Sequence, residues 1–311
     1  MKTDVTCYGV SCADVLIRGF DIHTPFVDEI RLVDKVAMGV GGDATNQAIV
    51  LSKLGASVKL VSGLGSDNVG LFINTIVETA GVDTSHIVYS EGESVVSVVI
   101  IDETGQRNIV YAKLPDTTDY EPDLDAMKGS RVVSIGSINS PPFTNTDRII
   151  RVAKAAKQEG AIVCADVIAR NENHNLYNIK EAMQYIDYIF PNEGEAAALT
   201  GKTCVEEIAD VFLSYGVGNV VVKVGKQGCV VKNAGGTYRF SAMGEDAVDT
   251  TGAGDNFAAG FIIGLLDGKG LDGCCEFAAA TAGIAVASIG ANTGVRNRQQ
   301  VEDFIKKYSA K

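Results

Sequence analysis

The residues with the clearest potential for chemistry lie in the stretch 249–257, which reads Asp-Thr-Thr-Gly-Ala-Gly-Asp-Asn-Phe and continues into an apolar helical run. Its small residues allow the backbone to approach a ligand, and the first N–H groups of a helix can bind an anion. Asp255 would lie beside that anion, where its carboxylate could accept a proton from an attacking hydroxyl. The N–H groups of Gly252, Ala253 and Gly254 could stabilise charge on a transferred phosphoryl group. Taken alone, an Asp at a helix start is more commonly a simple N-cap.

Two other glycine-containing stretches match nucleotide-binding patterns less well. Residues 39–44 fit the dinucleotide pattern G-x-G-x-x-A, but Lys59 stands where that pattern expects an acidic residue for a ribose hydroxyl. Gly201-Lys202-Thr203 resembles the end of a P-loop, but Ala196 occupies the position of its first glycine. Residues 39–44 therefore do not indicate a dinucleotide-binding site, and residues 201–203 do not indicate a P-loop.

Short apolar runs separated by helix-period stretches indicate a mainly parallel, doubly wound α/β sheet flanked by helices. The strand-like runs are 58–61, 132–138, 161–167, 185–190 and 219–224. The clearest helix is predicted at 67–80, with Val69, Phe72, Ile73, Ile76, Val77 and Ala80 on its apolar face. The runs 257–266 and 277–291 are shorter than the roughly 20 residues of a membrane-spanning helix and are predicted to be buried helices.

Two segments interrupt this alternation and are predicted to form a small β-sheet lid over the main domain. They comprise residues 15–38 and 94–113, and the second contains two strand-like runs on either side of a turn. Neither segment is followed by the crossover helix that a parallel strand needs. The main domain is therefore expected to consist of residues 1–14, 39–93 and 114–311.

Composition and charge narrow the range of partners. The chain has 311 residues, of which 46% are hydrophobic and 21% charged, as in folded globular proteins. Its net charge of -12 disfavours nucleic acid and membranes as partners, although local N–H groups can still bind a small anion. The start of the sequence has no signal-peptide pattern, so a cytoplasmic location is expected. Seven scattered cysteines and three histidines disfavour a disulfide framework or a zinc site.

Four motifs, in a fixed order, resemble the signatures of the PfkB-type, ribokinase-like carbohydrate kinases. The stretch 249–255 is similar to the D-T-x-G-A-G-D signature of that family. The others are an N-terminal signature made of residues 41–48, Gly55 and residues 63–70, an N-x-x-E motif at 192–195, and a G-x-x-G motif at 225–228. The resemblance spans nearly the whole chain. It implies a ribokinase-like fold with a β-lid over the sugar site, and transfer of a phosphoryl group from ATP to a sugar hydroxyl.

The resemblance also implies roles for residues at the phosphoryl and nucleotide sites. Asp255 would be the general base, and Gly252, Ala253 and Gly254 would form the anion hole. The residues on the nucleotide side would be Asn192, Lys223, Gly225 and Gly228, with Glu195 and Asn192 holding Mg²⁺ through water molecules. From the residues alone, 192–195 could equally be an exposed helix face, and 225–228 a hairpin turn.

For the sugar, the resemblance nominates residues near the paired glycines and after a central strand. They are Asp14, Gly41, Gly42, Asn46, Asp166 and Arg170. Ribokinases typically have Asn and Lys where this chain has Cys12 and Asp43. Because Asp43 accepts hydrogen bonds where a lysine donates them, a hydroxyl pattern different from that of ribose is expected. Asp43 could instead be a helix N-cap that faces away from the sugar, and the sequence leaves both interpretations open.

Three functions are compatible with these residues: an ATP-dependent sugar kinase, a nucleoside kinase of the same fold, and a catalytically silent ligand-binding relative. The intact stretch 252–255 argues against the silent relative, and the small number of aromatic residues in the lid argues against a nucleoside. Many relatives bind a monovalent cation near positions matching Asp249, Thr251 and residues 290–293, so activation by K⁺ is expected. Apolar residues on both faces of the run 95–101 predict a homodimer through the lid.

Overall fold

One large sheet carries helices on both of its faces. The computed structural model describes residues 3–22, 25, 27–28, 30–102, 107–111, 115–169, 176–244 and 247–309. The strands are β1 (Val5–Tyr8), β2 (Cys12–Arg18), β3 (Lys35–Gly41), β4 (Val58–Val61), β5 (Gly63–Gly65), β6 (Val88–Ser90), β7 (Val95–Ile101), β8 (Arg107–Tyr111), β9 (Val132–Ile138), β10 (Ile162–Val167), β11 (Tyr188–Ile189), β12 (Asn219–Lys223), β13 (Cys229–Asn233) and β14 (Gly236–Phe240). The helices are α1 (Asp43–Lys53), α2 (Asn68–Thr79), α3 (Thr146–Gln158), α4 (Leu176–Met183), α5 (Glu193–Thr200), α6 (Val205–Ser214), α7 (Ala253–Leu266), α8 (Leu271–Ala285) and α9 (Arg298–Ser309).

The large sheet has eight strands in the order β14-β13-β12-β11-β10-β9-β1-β4. The strands from β12 to β4 are parallel to their neighbours, and β13 and β14 extend the other edge in antiparallel register. Helices α1, α2, α7 and α8 bury side chains in one hydrophobic cluster, and α3 to α6 bury theirs in a second. The predicted doubly wound α/β fold is confirmed, and each predicted strand-like run contains a strand of this sheet.

Two helices depart from their sequence-based predictions. Helix α2 has Asp67 as its N-cap and buries Ile73 and Val77 completely, but Ile76 is 39% exposed. Its assignment to the buried face is wrong, because the side chains that point at the sheet recur every four residues and Ile76 lies beside that row. The apolar run 277–291 is not helical throughout. Helix α8 ends at Ala285, and the following loop turns back toward the start of α7.

A smaller sheet has the strand order β3-β2-β7-β8. Strand β2 is antiparallel to β3 but parallel to β7. The parallel pair corrects the expectation that these segments lack a crossover, because the connection from β2 to β7 runs through the main sheet and includes α1 and α2. The strands also extend beyond the expected lid segments, since β2 begins at Cys12 and β3 ends at Gly41. The division into lid and main domain stays a prediction.

Two further observations concern the helices and the cysteines. No helix in the part of the chain described above is both long and apolar enough to cross a membrane. All seven cysteines carry free thiols, and only Cys204 is exposed.

Candidate active site

A cavity of about 420 Å³ lies between the C-terminal ends of the large-sheet strands and the small sheet. It brings together most of the residues singled out in the sequence. Those that line it are Asp14, Gly42, Asp43, Asn46, Asp166, Asn192, Glu195, Lys223, Gly225, Thr251, Gly252, Ala253, Gly254 and Asp255. Gly41, Gly228 and Asp249 are not among the lining residues, and Arg170 lies outside the described residues.

Helix α7 begins at this cavity. Its N-cap residue Gly252 adopts a left-handed conformation with φ of 71°, and a Cβ atom there would lie 2.5 Å from the carbonyl oxygen of Ala291. Only glycine fits both conditions without a shift of the backbone. Because Gly252 offers no capping side chain, N–H groups in the first turn of α7 can donate to an anion, although the Ala253 N–H also donates to the Thr250 carbonyl oxygen at 3.2 Å. Asp255 is the third residue of the helix, so the simple N-cap interpretation is wrong for it.

Asp255 is buried in the wall of the cavity. Its Oδ2 accepts a hydrogen bond of 2.7 Å from Asn46 Nδ2. Burial, together with the nearby Asp43 and Asp166, raises the pKa of Asp255 well above its usual range, whereas Asn46 and Lys223 favour the charged form. A carboxylate with a raised pKa is a stronger base than an ordinary aspartate, which suits general-base catalysis near neutral pH.

Asp43 lies at the start of α1, and its orientation bears on the two interpretations left open by the sequence. The N-cap of α1 is Gly42, so Asp43 is the first helical residue and does not cap the helix. Its carboxylate accepts a hydrogen bond from the Ser137 hydroxyl and lines the cavity. Asp43 therefore faces the cavity and is not the N-cap of α1, and its contact with a sugar stays a prediction.

Asp14 lies on the small sheet, opposite the main-domain residues. Its carboxylate accepts a hydrogen bond from the Ser97 hydroxyl of the neighbouring strand and another, at 3.4 Å, from the Cys12 thiol. A Cβ atom on Gly41 would lie 2.2 Å from Asp14 Oδ2. The absence of a side chain at Gly41 is what makes room for this carboxylate.

Lys223 and Asp166 form an ion pair across the floor of the cavity. Lys223 Nζ lies 3.0 and 3.3 Å from the two carboxylate oxygens of Asp166, and both side chains are largely buried. Burial raises the pKa of Asp166 although Lys223 opposes the shift. Burial alone would lower the pKa of Lys223, but Asp166 and Glu195 outweigh it and the pKa is raised. A Cβ atom on Gly254 would lie 2.9 Å from Lys223 Nζ, so the ammonium group also contacts the start of α7.

Asn192 and Glu195 form a capping box at the start of α5. Asn192 Oδ1 accepts a hydrogen bond of 2.8 Å from the Glu195 N–H, and the Asn192 N–H donates to Glu195 Oε2 at 2.9 Å. Both side chains also line the cavity, so they are not simply an exposed helix face. Of the nearby glycines, Gly225 lines the cavity, whereas Gly228 packs against the backbone of Phe240.

Asp249 is buried beside the start of α7. One of its oxygens accepts hydrogen bonds from the N–H and hydroxyl of Thr251, at 2.8 and 2.6 Å. The other accepts from the Gly290 N–H at 2.8 Å. These bonds join the two segments that were expected to hold a monovalent cation.

Comparison with known proteins decides the family. The model of the pfkB family carbohydrate kinases matches residues 2–298 of the chain. The chain belongs to this family. It is therefore an enzyme, a phosphotransferase with an alcohol group as acceptor.

Individual members of the pfkB family show the same relationship. The chain is 28% identical over 272 residues to a ribokinase of Haemophilus influenzae, and the aligned region covers 86% of this chain and 87% of that protein. It is 28% identical over 273 residues to a nucleoside kinase of Methanothermobacter thermautotrophicus, with coverage of 87% and 84%. Its structure matches that of Arabidopsis thaliana ribokinase complexed with ribose and ATP, with a TM-score of 0.82, 26% identity and coverage of 98% and 99%. Since these relatives differ in substrate, family membership alone does not select the acceptor.

Two polar side chains of this pfkB site, Ser97 and Ser137, were not predicted from the sequence, and Asn292 was predicted only as part of the loop 290–293. Ser97 carries a recognisable signal, because it alternates with Val95 and Val99 on the cavity face of β7. Ser137 has no such signal, since a φ of 54° and a register shift at the end of β9 break the alternation there. Asn292 lies in irregular backbone after α8 and is brought to Asn46 only by the fold.

Proposed function

We propose that this pfkB-family kinase transfers the γ-phosphoryl group of ATP to a hydroxyl of a small carbohydrate. The observation that carries the proposal is the position of Asp255 at the start of α7, with its carboxylate bonded to Asn46 inside the cavity. A sugar hydroxyl beside Asp255 would lose its proton to the carboxylate as its oxygen attacks the γ-phosphorus and ADP leaves. The N–H groups of residues 252–254 would stabilise charge on the transferred group. The Arabidopsis relative binds ribose and ATP together, which supports the same pair of ligands here.

Asp14 and Asp43 favour an acceptor that is rich in hydroxyl groups. Both carboxylates line the cavity, and each can accept hydrogen bonds from sugar hydroxyls. Asn46 and the backbone at Gly42 complete this side of the proposed sugar site. A cytoplasmic location, where ATP is abundant, is part of the same proposal.

A nucleoside is the second candidate, because one relative is a nucleoside kinase. Tyr111 lies on the cavity wall, where an aromatic ring could stack on a base. A coupled ADP-release screen over pentoses, hexoses, ketoses, deoxy-keto acids and nucleosides separates the candidates. Turnover with a sugar supports the proposal, turnover with nucleosides alone replaces it, and no turnover with any acceptor would favour a silent ligand-binding relative.

Mg²⁺ would be held on the nucleotide side of the cavity, near Glu195 and Asn192. Within the described residues, no group of three or more His, Cys, Asp or Glu side chains is placed to hold a metal ion. Glu195 and Asn192 alone fit an ion that keeps its water molecules and is bound mainly by ATP phosphates, as Mg²⁺ usually is in kinases. When bound, Mg²⁺ would neutralise charge on the β- and γ-phosphates.

Replacing Glu195 with Gln should raise the Mg²⁺ concentration needed for half-maximal rate by roughly tenfold. The side-chain carbonyl of Gln can still accept the hydrogen bond from the Asn192 N–H, so the helix cap and the melting temperature should be preserved. Glu193→Gln is the matched control, because it removes an exposed charge from the same first turn of α5. Identical Mg²⁺ titrations for Glu195→Gln and the unmodified enzyme would exclude Glu195 from the metal site.

K⁺ is proposed to bind where Asp249 and Thr251 meet the loop 290–293. The hydrogen bonds from Thr251 and Gly290 to Asp249 hold these two segments together beside the start of α7. Oxygen atoms of this junction suit a hard cation. Exchange of K⁺ for a large organic cation at fixed ionic strength tests whether the site is used.

The outer face of the small sheet is proposed to join two subunits. Met38, Val15, Val98 and Val110 are paired in register across the four strands on the face away from the cavity. Met38 and Val110 are 64% and 59% exposed in the single chain. A second copy of the same sheet would bury this apolar row.

Val98→Asp should convert a dimer into monomers and weaken sugar binding, because a charge would enter the proposed interface without a partner. Light scattering should give about twice 32.7 kDa for the unmodified protein and 32.7 kDa for the variant. Leu71→Asp, on an exposed position of α2, is the matched control and should remain dimeric. An unmodified protein that is monomeric at micromolar concentration would rule out this interface.

A further inference from the structure

A chain of hydrogen bonds connects Asp255 to the loop that follows α8. Asn46 Nδ2 donates to Asp255 Oδ2 at 2.7 Å. Asn292 Nδ2 donates to Asn46 Oδ1 at 2.9 Å and to the Val40 carbonyl oxygen at 3.2 Å. Lys53, at the end of α1, ties down the loop by donating from Nζ to the Asn292 carbonyl oxygen at 2.6 Å. These hydrogen bonds therefore connect Lys53, at the end of α1, through Asn292 and Asn46 to the proposed base Asp255.

The order of donors and acceptors along this chain is fixed. A backbone carbonyl can only accept, so the bond to Val40 identifies the Asn292 nitrogen as the atom beside Asn46. That nitrogen can only donate, so Asn46 must turn its Oδ1 toward Asn292. The NH₂ group of Asn46 is then left to face Asp255. This group can donate to an ionised carboxylate but cannot accept a proton-mediated bond from a protonated one.

Without Asn292, the amide of Asn46 would be free to rotate by half a turn. Its Oδ1 could then accept a hydrogen bond from a protonated Asp255, which is the form that cannot act as a base. Asn46 is buried, so water would not readily replace the missing donor. The orientation of one amide thus decides which protonation state of Asp255 is stabilised.

We propose that Asn292 is a positioning residue for the phosphoryl transfer: by fixing the amide of Asn46, it keeps Asp255 ionised and directed at the acceptor hydroxyl. This inference rests on the proposed role of Asp255 as the base. Asn292 is not among the residues lining the cavity and acts through Asn46.

The surroundings of Asp255 make its pKa sensitive to the hydrogen bond from Asn46. Asp43 from α1 and Asp166 from β10 disfavour its charge, and burial acts in the same direction. Asn46 and Lys223 favour the charged form. Removing or reversing the Asn46 bond should therefore raise the pKa of Asp255, by about one pH unit for a hydrogen bond to a charged group.

The test compares two substitutions of nearly equal size. Asn292→Leu removes the donor without adding charge, and Asn292→Asp replaces it with an acceptor that draws the NH₂ group of Asn46 away from Asp255. Asn297→Asp is the control, because it makes the same chemical change at an exposed position of the same loop and keeps the hydrogen bond from the Gln300 N–H. Carboxyl-carbon NMR titration of Asp-labelled protein gives the pKa of Asp255, whose signal is assigned by its loss in Asp255→Asn.

Both Asn292 variants should titrate Asp255 at a higher pH than the unmodified enzyme, with the larger shift in Asn292→Asp. With MgATP and the acceptor selected by the ADP-release screen, the acid limb of kcat/KM should move up by the same amount, and the KM for ATP should not change. An Asp255 titration unmoved in both Asn292 variants would overturn the proposal, as would an equal shift in Asn297→Asp.

The NMR arm also separates this inference from the proposed function. If Asp255→Asn keeps near-normal turnover, Asp255 is not the base and the proposed mechanism fails, whatever the titration shows. If Asp255→Asn is inactive but the Asn292 variants leave the Asp255 titration unchanged, the base stands and only the positioning role of Asn292 is refuted.

Discussion

Replacing Asp255 with Asn should lower kcat by about 10²–10⁴-fold while leaving folding and ATP affinity nearly unchanged. Asn has the shape of Asp, and its side-chain oxygen can still accept the hydrogen bond from Asn46, so the start of α7 should be preserved. It cannot accept the proton of the acceptor hydroxyl, because an amide is not a base near neutral pH. Steady-state ADP release, thermal unfolding and calorimetric ATP binding measure the three quantities separately.

Asp272→Asn is the matched control for this prediction. Asp272 lies in the first turn of α8 and is exposed, so the substitution removes one charge from a helix start without touching the cavity. It should leave kcat unchanged. Near-normal turnover in Asp255→Asn would instead show that another group accepts the proton.

The pH dependence of the unmodified enzyme provides a second measure of the same residue. Because the pKa of Asp255 is raised, the ionised base is lost as pH falls through a value above the ordinary range of aspartate. The rate should therefore rise with pH across that raised pKa and level off above it. The residual activity of Asp255→Asn should lack this limb.

The strands and helices of the large sheet were predictable from the sequence because each of them has a local pattern. Buried parallel strands such as β12, with its three consecutive valines, are short apolar runs, and helices between the strands show the spacing of an amphipathic helix. The parallel pairing of β2 with β7 was not predictable in this way. The segment between the two strands contains β3, α1, β4, β5, α2 and β6, and no local sequence pattern indicates that β2 and β7 pair.

The candidate site likewise has a part that could be predicted from local sequence and a part that could not. Residues 252–255 are contiguous and contain the helix start, the small residues and the carboxylate, so their chemistry could be inferred from one stretch. The hydrogen bonds that tune them join distant positions, such as Asn46 to Asp255 and Ser97 to Asp14. Asp166 and Lys223 were each assigned to a different ligand, and only the fold shows that they contact one another. Such pairings depend on strand order, which sequence periodicity does not specify.

Lys223→Met should lower kcat by about 10²–10³-fold, because the substitution removes the cation that lies against the anion hole. Met keeps most of the length and apolar contact of the lysine stem. Asp166 would lose its ion-pair partner, and its already raised pKa should rise further, so that it becomes protonated rather than remaining a buried lone charge. Lys154→Met, on the exposed face of α3, is the control and should have normal kinetics.

The double variant Lys223→Met with Asp166→Asn decides what Lys223 does. If Lys223 only neutralises Asp166, removing both charges should restore most of the rate, and the two substitutions should be strongly non-additive. If the ammonium group stabilises charge on the transferred phosphoryl group, the double variant should stay as slow as Lys223→Met alone. We expect the second result, because Lys223 Nζ lies beside Gly254 at the start of α7, where an added Cβ atom would come within 2.9 Å of it. A double variant with near-normal kcat would assign the lysine to charge balance alone.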